Sequence, residues 1–242
     1  LNHRIKVIIF CVLLTMLVAS GGRFLGFDTN YRVFFGKDNP QLQAFDNLQR
    51  TYTKTDNIIF VVKAEEGDAS NKQVLEATKF LTEESWKLPY ASRVDSLSNY
   101  QHTYAQEDDL IVEDLIEEEV NLDDASSRQN IVNIAVNEPT LKGRIIANDG
   151  NAAGVNITFL FPEAHPFEVP ETAAAARELL QTAQEKFPSL TLIPSGVVMM
   201  NNAFSEASMK DMTTLIPLMY GILLLTMALF LRSLGAIDRK ST

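Results

Sequence analysis

The chain has 242 residues, 46% of them hydrophobic and 21% charged, with 31 acidic against 21 basic side chains and a net charge of −10. This composition excludes a disordered or collagen-like chain, and its sign argues against a general nucleic-acid binder, which needs a basic face. One cysteine, Cys11, excludes a disulfide scaffold and a cysteine zinc site, and three histidines exclude a His-rich metal centre.

The apolar residues are unevenly spread. Val7–Gly22 is 16 residues without a charge, between Arg4 and Lys6 on one side and Arg23 on the other. As a helix it spans about 24 Å, short of a ~30 Å hydrocarbon core. Counting Ile5 and letting Lys6 snorkel closes most of the gap, so residues 5–22 are read as a first transmembrane helix. A cleaved signal peptide is the alternative, with a basic start and the small residues Ala19, Ser20 and Gly21.

Phe27–Gly36 reads as extended. Asp38-Asn39-Pro40 is a helix start, a capping side chain ahead of a first-turn proline. Leu42, Phe45, Leu48 and Tyr52 then recur on one helical face. Asn57–Val62 is a continuous apolar run of strand length, as expected of a buried strand. Ser70 is placed as the cap of a helix carrying Val74, Leu75, Thr78 and Leu81 on one face and ending near Trp86 and Pro89. Arg93–Leu97 is the next strand, completing a β-α-β unit.

Residues 100–140 read as an insertion. It contains a helix through Ile131, Ile134 and Ala135, stopped by Pro139. It also holds ten carboxylates between Glu107 and Asp124, interleaved with Leu110, Ile111, Val112, Leu115, Ile116 and Val120. The run lacks EF-hand spacing and is read as the solvated face of a packed segment rather than a calcium or basic-partner site.

Arg144–Ala147 and Ala153–Phe161 are read as a hairpin about Asn148-Asp149-Gly150-Asn151. Pro170 is placed at the start of a helix through Ala173–Ala176, Leu179, Leu180, Ala183 and Phe187, ended by Pro188. Leu190–Ile193 is the last strand. The order β-α-β, insertion, β-β-α-β gives an α+β domain close to a ferredoxin-like split β-α-β fold. From Val198 to Leu231 no strong helix breaker occurs except Pro217, so one long helix leaves the domain. Its last part, Met212–Leu231, has 20 uncharged residues, about 30 Å of helix, and is read as a second transmembrane helix. At ~0.3–0.6 kcal/mol for each of its Leu, Ile and Phe residues, insertion gains roughly 3–6 kcal/mol.

No catalytic motif stands out. GxSxG, GxGxxG, HExxH and P-loop patterns are missing from the sequence. His102 and His165 are isolated and read as ordinary surface histidines. Ser195-Gly196 is a strand-to-helix turn without a base beside it. Asn156-Ile157-Thr158 matches a glycosylation acceptor by chance, inside a strand. Asp211 is an interfacial helix residue. Met199, Met200 and Phe204, on the long helix before the second span, are the candidate substrate-binding residues, because methionine adapts to varied ligands.

Three stretches carry a family resemblance. They are YRVFFGKDNPQLQAFDNLQRTYTKTDNIIFVV at 31–62, LKGRIIANDGNAAGVNITFLFP at 141–162, and LTLIPSGVVMMNNAFSEASMKDMTTLIPLMYGILLLTMALFLRSLGA at 190–236. In their order and spacing the chain resembles the first part of an MMPL-like exporter of the resistance–nodulation–division (RND) superfamily. The resemblance implies a first span, an extracytoplasmic porter domain and further spans, the plan being repeated once. It implies proton-driven export of lipids or other hydrophobic molecules, with relay acids on later helices, none of which maps onto a residue here. After Ala236 the family continues into another span, whereas Ile237–Thr242 turns polar and the first residue is Leu. A fragment or truncated reading frame is therefore expected.

The layout expected is a transmembrane helix at 5–22, a periplasmic porter domain at 24–197, a connecting helix at 198–211, a second span at 212–231 and a cytoplasmic tail at 232–242. Between the spans lie 15 basic and 30 acidic residues, while basic residues flank the outer ends, so both termini are placed in the cytoplasm of a bacterial inner membrane. The expected role is non-enzymatic and needs no cofactor or metal. Its partners are the lipid bilayer, a hydrophobic or amphipathic substrate and the remaining spans of the full-length exporter, with self-association left open and no nucleic acid. The rival readings are a two-span membrane-anchored extracytoplasmic sensor or ligand-binding domain, and a secreted binding domain.

Overall fold

A computed structural model describes residues 4–21, 35–36, 38–52, 56–106, 109–116, 120–162 and 164–237. Most of the expected extended stretch at 27–36 lies outside these residues. The first helix, α1, runs Arg4–Ala19, with Val7, Ile9, Phe10 and the apolar side chains from Val12 to Val18 exposed. At 16 residues it is shorter than a bilayer-spanning helix. Helix α2, Pro40–Thr51, starts where the sequence places it, with Asn39 Oδ1 accepting from the amides of Gln41 and Leu42. Its expected apolar face is not a core face: Leu42 and Phe45 are half-buried, and Leu48 and Tyr52 are exposed.

The folded unit begins at β1, Asn57–Ala64, followed by α3, Lys72–Ser85, and β2, Ala91–Asp95. The α3 cap is Asn71, one residue later than expected, because its Oδ1 reaches the Gln73 amide while the Ser70 hydroxyl donates to Asp68. β2 lies two residues earlier than expected. Leu97 is fully buried, but in the turn beyond the strand. There Asn99 Oδ1 accepts from the Ser96 amide at 2.9 Å, and its Nδ2 donates to the Val94 carbonyl at 2.7 Å.

The insertion contains an antiparallel hairpin that periodicity did not reveal, β3, Gln101–Gln106, and β4, Asp109–Asp114. Leu110 and Val112 are exposed on it, so this part of the acidic run is not a packed segment; Leu115 and Ile116 just beyond are buried. Helix α4, Ala125–Asn137, follows with Ile131, Val132 and Ala135 buried and Asp124 as its cap. The turn at 147–150 forms, but residues 144–147 make only isolated bridges and are not a hairpin strand.

β5 is Ala153–Phe159, α5 is Glu168–Lys186 and β6 is Leu190–Ser195. α5 starts two residues before Pro170. The Glu168 carboxylate, 4% exposed, turns back to accept from the amides of Ala164 and His165 and so closes the helix start. The four long-range strands form one antiparallel sheet in the order β2-β5-β1-β6. α3 and α5 pack on one face of it and on each other. On that face Ile58, Phe60 and Val62 meet Val155, Ile157 and Phe159, each of these six fully buried. The fold is therefore mixed α+β, with its core mainly between one sheet face and two helices and extended by Ile131, Val132, Leu141 and Ile146 of the region between β4 and β5.

Helix α6 is a single helix of 41 residues, Val197–Ile237, running through Pro217 as expected. Its first turns are seated on the sheet, with Val198, Met199, Asn201 and Asn202 buried. Further along, Leu215–Phe230 projects its apolar side chains outward. Among the described residues this is the one helix long and apolar enough to cross a membrane.

Candidate functional site

Strand alternation sends every second side chain to the face that the helices do not cover. Asn57, Ile59 and Val61 of β1 and Asn156 and Thr158 of β5 point that way, all half-buried. Asn57 Nδ2 donates to Asn156 Oδ1 at 2.7 Å across the two strands. The insertion bends over this face as a roof. Leu141 and Ile145 are buried, and Tyr100 and Gln101 stand at the head of the hairpin. The Gly154 amide donates to the Ile145 carbonyl at 2.6 Å. A Cβ at 154 would lie 3.3 Å from that oxygen and 3.2 Å from Ile59 Cδ1, so a glycine lets the roof approach the sheet.

Between sheet and roof lies a cavity of about 820 Å³. Its apolar surface comes from Ile59, Leu141 and Ile145, and its polar surface from Asn57, Asn156, Ser96, Asn99, Gln101 and Thr140. Among the described residues, three charged ones line it: Arg93, Asp95 and Arg144. Arg93 Nε donates to Asp95 Oδ1 at 2.8 Å, so this pair is internally balanced. The exposed Arg144 makes no ion pair among the described residues. Near the rim the Glu138 carboxylate accepts from the Thr140 hydroxyl at 3.0 Å, which holds its pKa below the usual carboxylate range. A cavity of this size with an apolar floor and few charges has the character of a binding site.

The sequence candidates lie elsewhere. Met199 is in the core at 9% exposure, whereas Met200 and Phe204 are exposed and share an outer face of α6 by their four-residue spacing. The structure does not bring the three together around this cavity. The cavity residues leave no contiguous pattern in the sequence because they come from four strands, the turn after β2 and a distant loop. The available signal was polar alternation, Asn156 and Thr158 on β5 and Arg93 and Asp95 on β2, which marks a sheet face lacking a closed core.

A second locus joins the sheet to the long helix. Gly196 has φ of +111°, and a Cβ there would meet the Asn57 carbonyl oxygen at 2.5 Å, so the chain turns from β6 into α6 only with glycine. Arg177 of α5 grips Glu206 of α6 with both terminal nitrogens, at 2.5 and 3.1 Å. Asn202 donates to the same carboxylate at 2.8 Å. These contacts and the buried Val198 and Met199 hold the base of α6 against the α+β unit, with Gly196 alone between β6 and α6.

Other singled-out residues have local roles. Asp123 pairs with Lys72, and Asp124 caps α4. His102 stacks on Tyr104 with ring centres 5.4 Å apart. A comparison with curated proteins finds no match. The MMPL family model matches residues 33–237, a span that takes in the whole α+β unit and α6. The fold, its outward apolar helix and a match over most of its length converge: the chain belongs to the MMPL family of RND-type, membrane-associated transporters.

Proposed function

We propose that this chain is the N-terminal part of a proton-driven exporter of lipids or other hydrophobic molecules, with the α+β unit as a porter domain handling substrate outside the cytoplasm. The porter is of the ferredoxin-like split β-α-β kind. The antiparallel order β2-β5-β1-β6 with both crossover helices on one face supports that reading. The observation that carries the proposal is α6: one helix begins packed on the porter sheet and continues as an uncovered apolar stretch, in a chain of the MMPL family. Without a flexible linker, tilting of that helix moves the porter with it.

In this reading α1 is the other span, both termini are cytoplasmic and the porter is periplasmic at the inner membrane of a bacterium. The role is non-enzymatic. The partners are the bilayer, a hydrophobic or amphipathic substrate and the remaining spans of the exporter, which carry the proton relay. The two-span sensor or ligand-binding alternative is not favoured by the family match.

Reporter fusions test the layout. A reporter placed after Arg232 and another placed within Gly67–Ser70 should report opposite sides of the membrane. Signals from the same side sink the proposal.

A further inference from the structure

The cavity under the roof differs in charge from the rest of the molecule. Between the two apolar ends, acidic residues outnumber basic ones by 30 to 15. In the cavity lining the ratio reverses, with two arginines against Asp95. Asp95 is taken up by Arg93. Among the described residues Arg144 has no ion-pair partner, and it stands exposed at the edge of an apolar floor made by Ile59 and Ile145. Glu138, two residues before the lining residue Thr140, accepts from the Thr140 hydroxyl and amide. A cleft whose net charge is opposite to that of the surrounding surface concentrates ligands of charge opposite to its own.

We propose that this cavity binds the head of an anionic amphiphile, with Arg144 forking onto a phosphate- or carboxylate-type group and the first part of the alkyl chain lying on Ile59, Leu141 and Ile145. The inference rests on the exporter reading and narrows its substrate class. Guanidinium suits the task because its planar donors match two oxygens of such a head group. The asparagines on the sheet, Asn57 and Asn156, already satisfy one another in part and add a neutral polar wall. The excess of acidic over basic residues between the two apolar ends disfavours non-specific anion binding.

The test uses the full chain in nanodiscs of zwitterionic phosphatidylcholine, with empty nanodiscs as the blank. Hexyl phosphate, hexanol and inorganic phosphate are titrated calorimetrically, because a six-carbon chain stays largely in water. Hexyl phosphate should saturate a single site and bind several-fold tighter than hexanol or inorganic phosphate. Arg144→Gln should weaken hexyl phosphate about tenfold, the loss expected for one charge-assisted contact, and leave hexanol unchanged. Ile59→Trp, which fills the floor, should weaken hexyl phosphate and hexanol together, and it keeps the test standing if R144Q does not fold.

Equal affinity of wild type and R144Q for hexyl phosphate overturns the proposal. So does inorganic phosphate binding as tightly as hexyl phosphate, which describes a free-anion site, and so does hexanol matching hexyl phosphate, which describes a neutral pocket. Absence of saturable hexyl phosphate binding overturns it as well. None of these results touches the exporter reading, which falls instead on reporter fusions that face the same side.

Discussion

The two faces of the central sheet are made by the same strands and differ in how they are covered. On one, Ile58, Phe60 and Val62 alternate into a layer of helices and are fully buried. On the other, Asn57, Ile59 and Val61 are half-buried beneath a roof joined to the sheet by the Gly154–Ile145 hydrogen bond and the bridge from Ile146 to Ala153. Helices stacked on a sheet exclude water along their whole length. An irregular loop must satisfy its own backbone and can only arch over. One face therefore supplies stability and the other supplies a cavity. The same four strands do both jobs because side chains alternate across them.

The sharpest way to break that contrast is to hollow the helix-covered face. Phe60→Ala removes a fully buried ring and should cost about 3–5 kcal/mol, read by urea unfolding of the full chain in a neutral detergent. A loss under roughly 1 kcal/mol would mean that this face is not the core. Gly196→Ala comes next. The φ of +111° and the 2.5 Å approach to the Asn57 carbonyl both penalise a Cβ, and a cost of about 3 kcal/mol is expected. Because the turn carries α6, the same variant should also loosen the helix base. Amide exchange in residues 197–204 should accelerate more than exchange in β5. Uniform acceleration would show a general destabilisation with no special role for the junction.

The contrast was only half legible in the sequence. The run Asn57–Val62 looks like a strand buried on both sides, and β1 is indeed the strand between β5 and β6. Hydrophobicity alone cannot say that Ile59 and Val61 face a cavity while Ile58 and Phe60 face helices, because isoleucine suits either place. Helix positions were legible because caps and prolines announce them: the Asn39 cap with Pro40 in the first turn of α2, and Pro188 after α5, sit where the chemistry requires. The β3–β4 hairpin was hidden because its charged residues mask the strand pattern and its apolar ones, Leu110 and Val112, stay exposed. The cavity was hidden for another reason. Arg93, Asn156 and Arg144 are brought together only by strand order and by the roof, and neither leaves a local signature. Met199, Met200 and Phe204 were attractive as a cluster in sequence, but helical geometry sends Met199 to the core and the other two outward.

Ile59→Ala sharpens the comparison from the open side. The residue is a neighbour of Phe60 in sequence and close to it in size, yet half-buried. Its loss should cost roughly 1 kcal/mol, well below the cost of Phe60→Ala in the same unfolding assay, since its surface is only partly removed from water in the folded chain. Equal costs at the two positions would show that the roof closes as tightly as the helices do, and the cavity would then lose its physical basis.

The smallest effect is a pH response of the insertion that supplies the roof. Asp124 caps α4 by accepting from the hydroxyls and amides of Ser126 and Ser127, and these bonds push its pKa down to about 2. An unfolded aspartate titrates near about 3.9. Between those values the unfolded chain holds more protons at this position than the folded chain, so stability rises with pH there. The contribution of the cap is complete above about pH 4 and is lost as the pH falls through about 2. Amide exchange at Ser126 and Ser127 should therefore exceed its intrinsic pH trend on going from pH 5 to pH 2.5, while the amides of Phe60 and Val155 follow theirs. Asp124→Asn keeps a capping acceptor without the titration, and it should flatten the response at Ser126 and Ser127. If all four amides lost protection together, the roof and the helix-covered face would be one cooperative unit, and the separation drawn between them would be wrong.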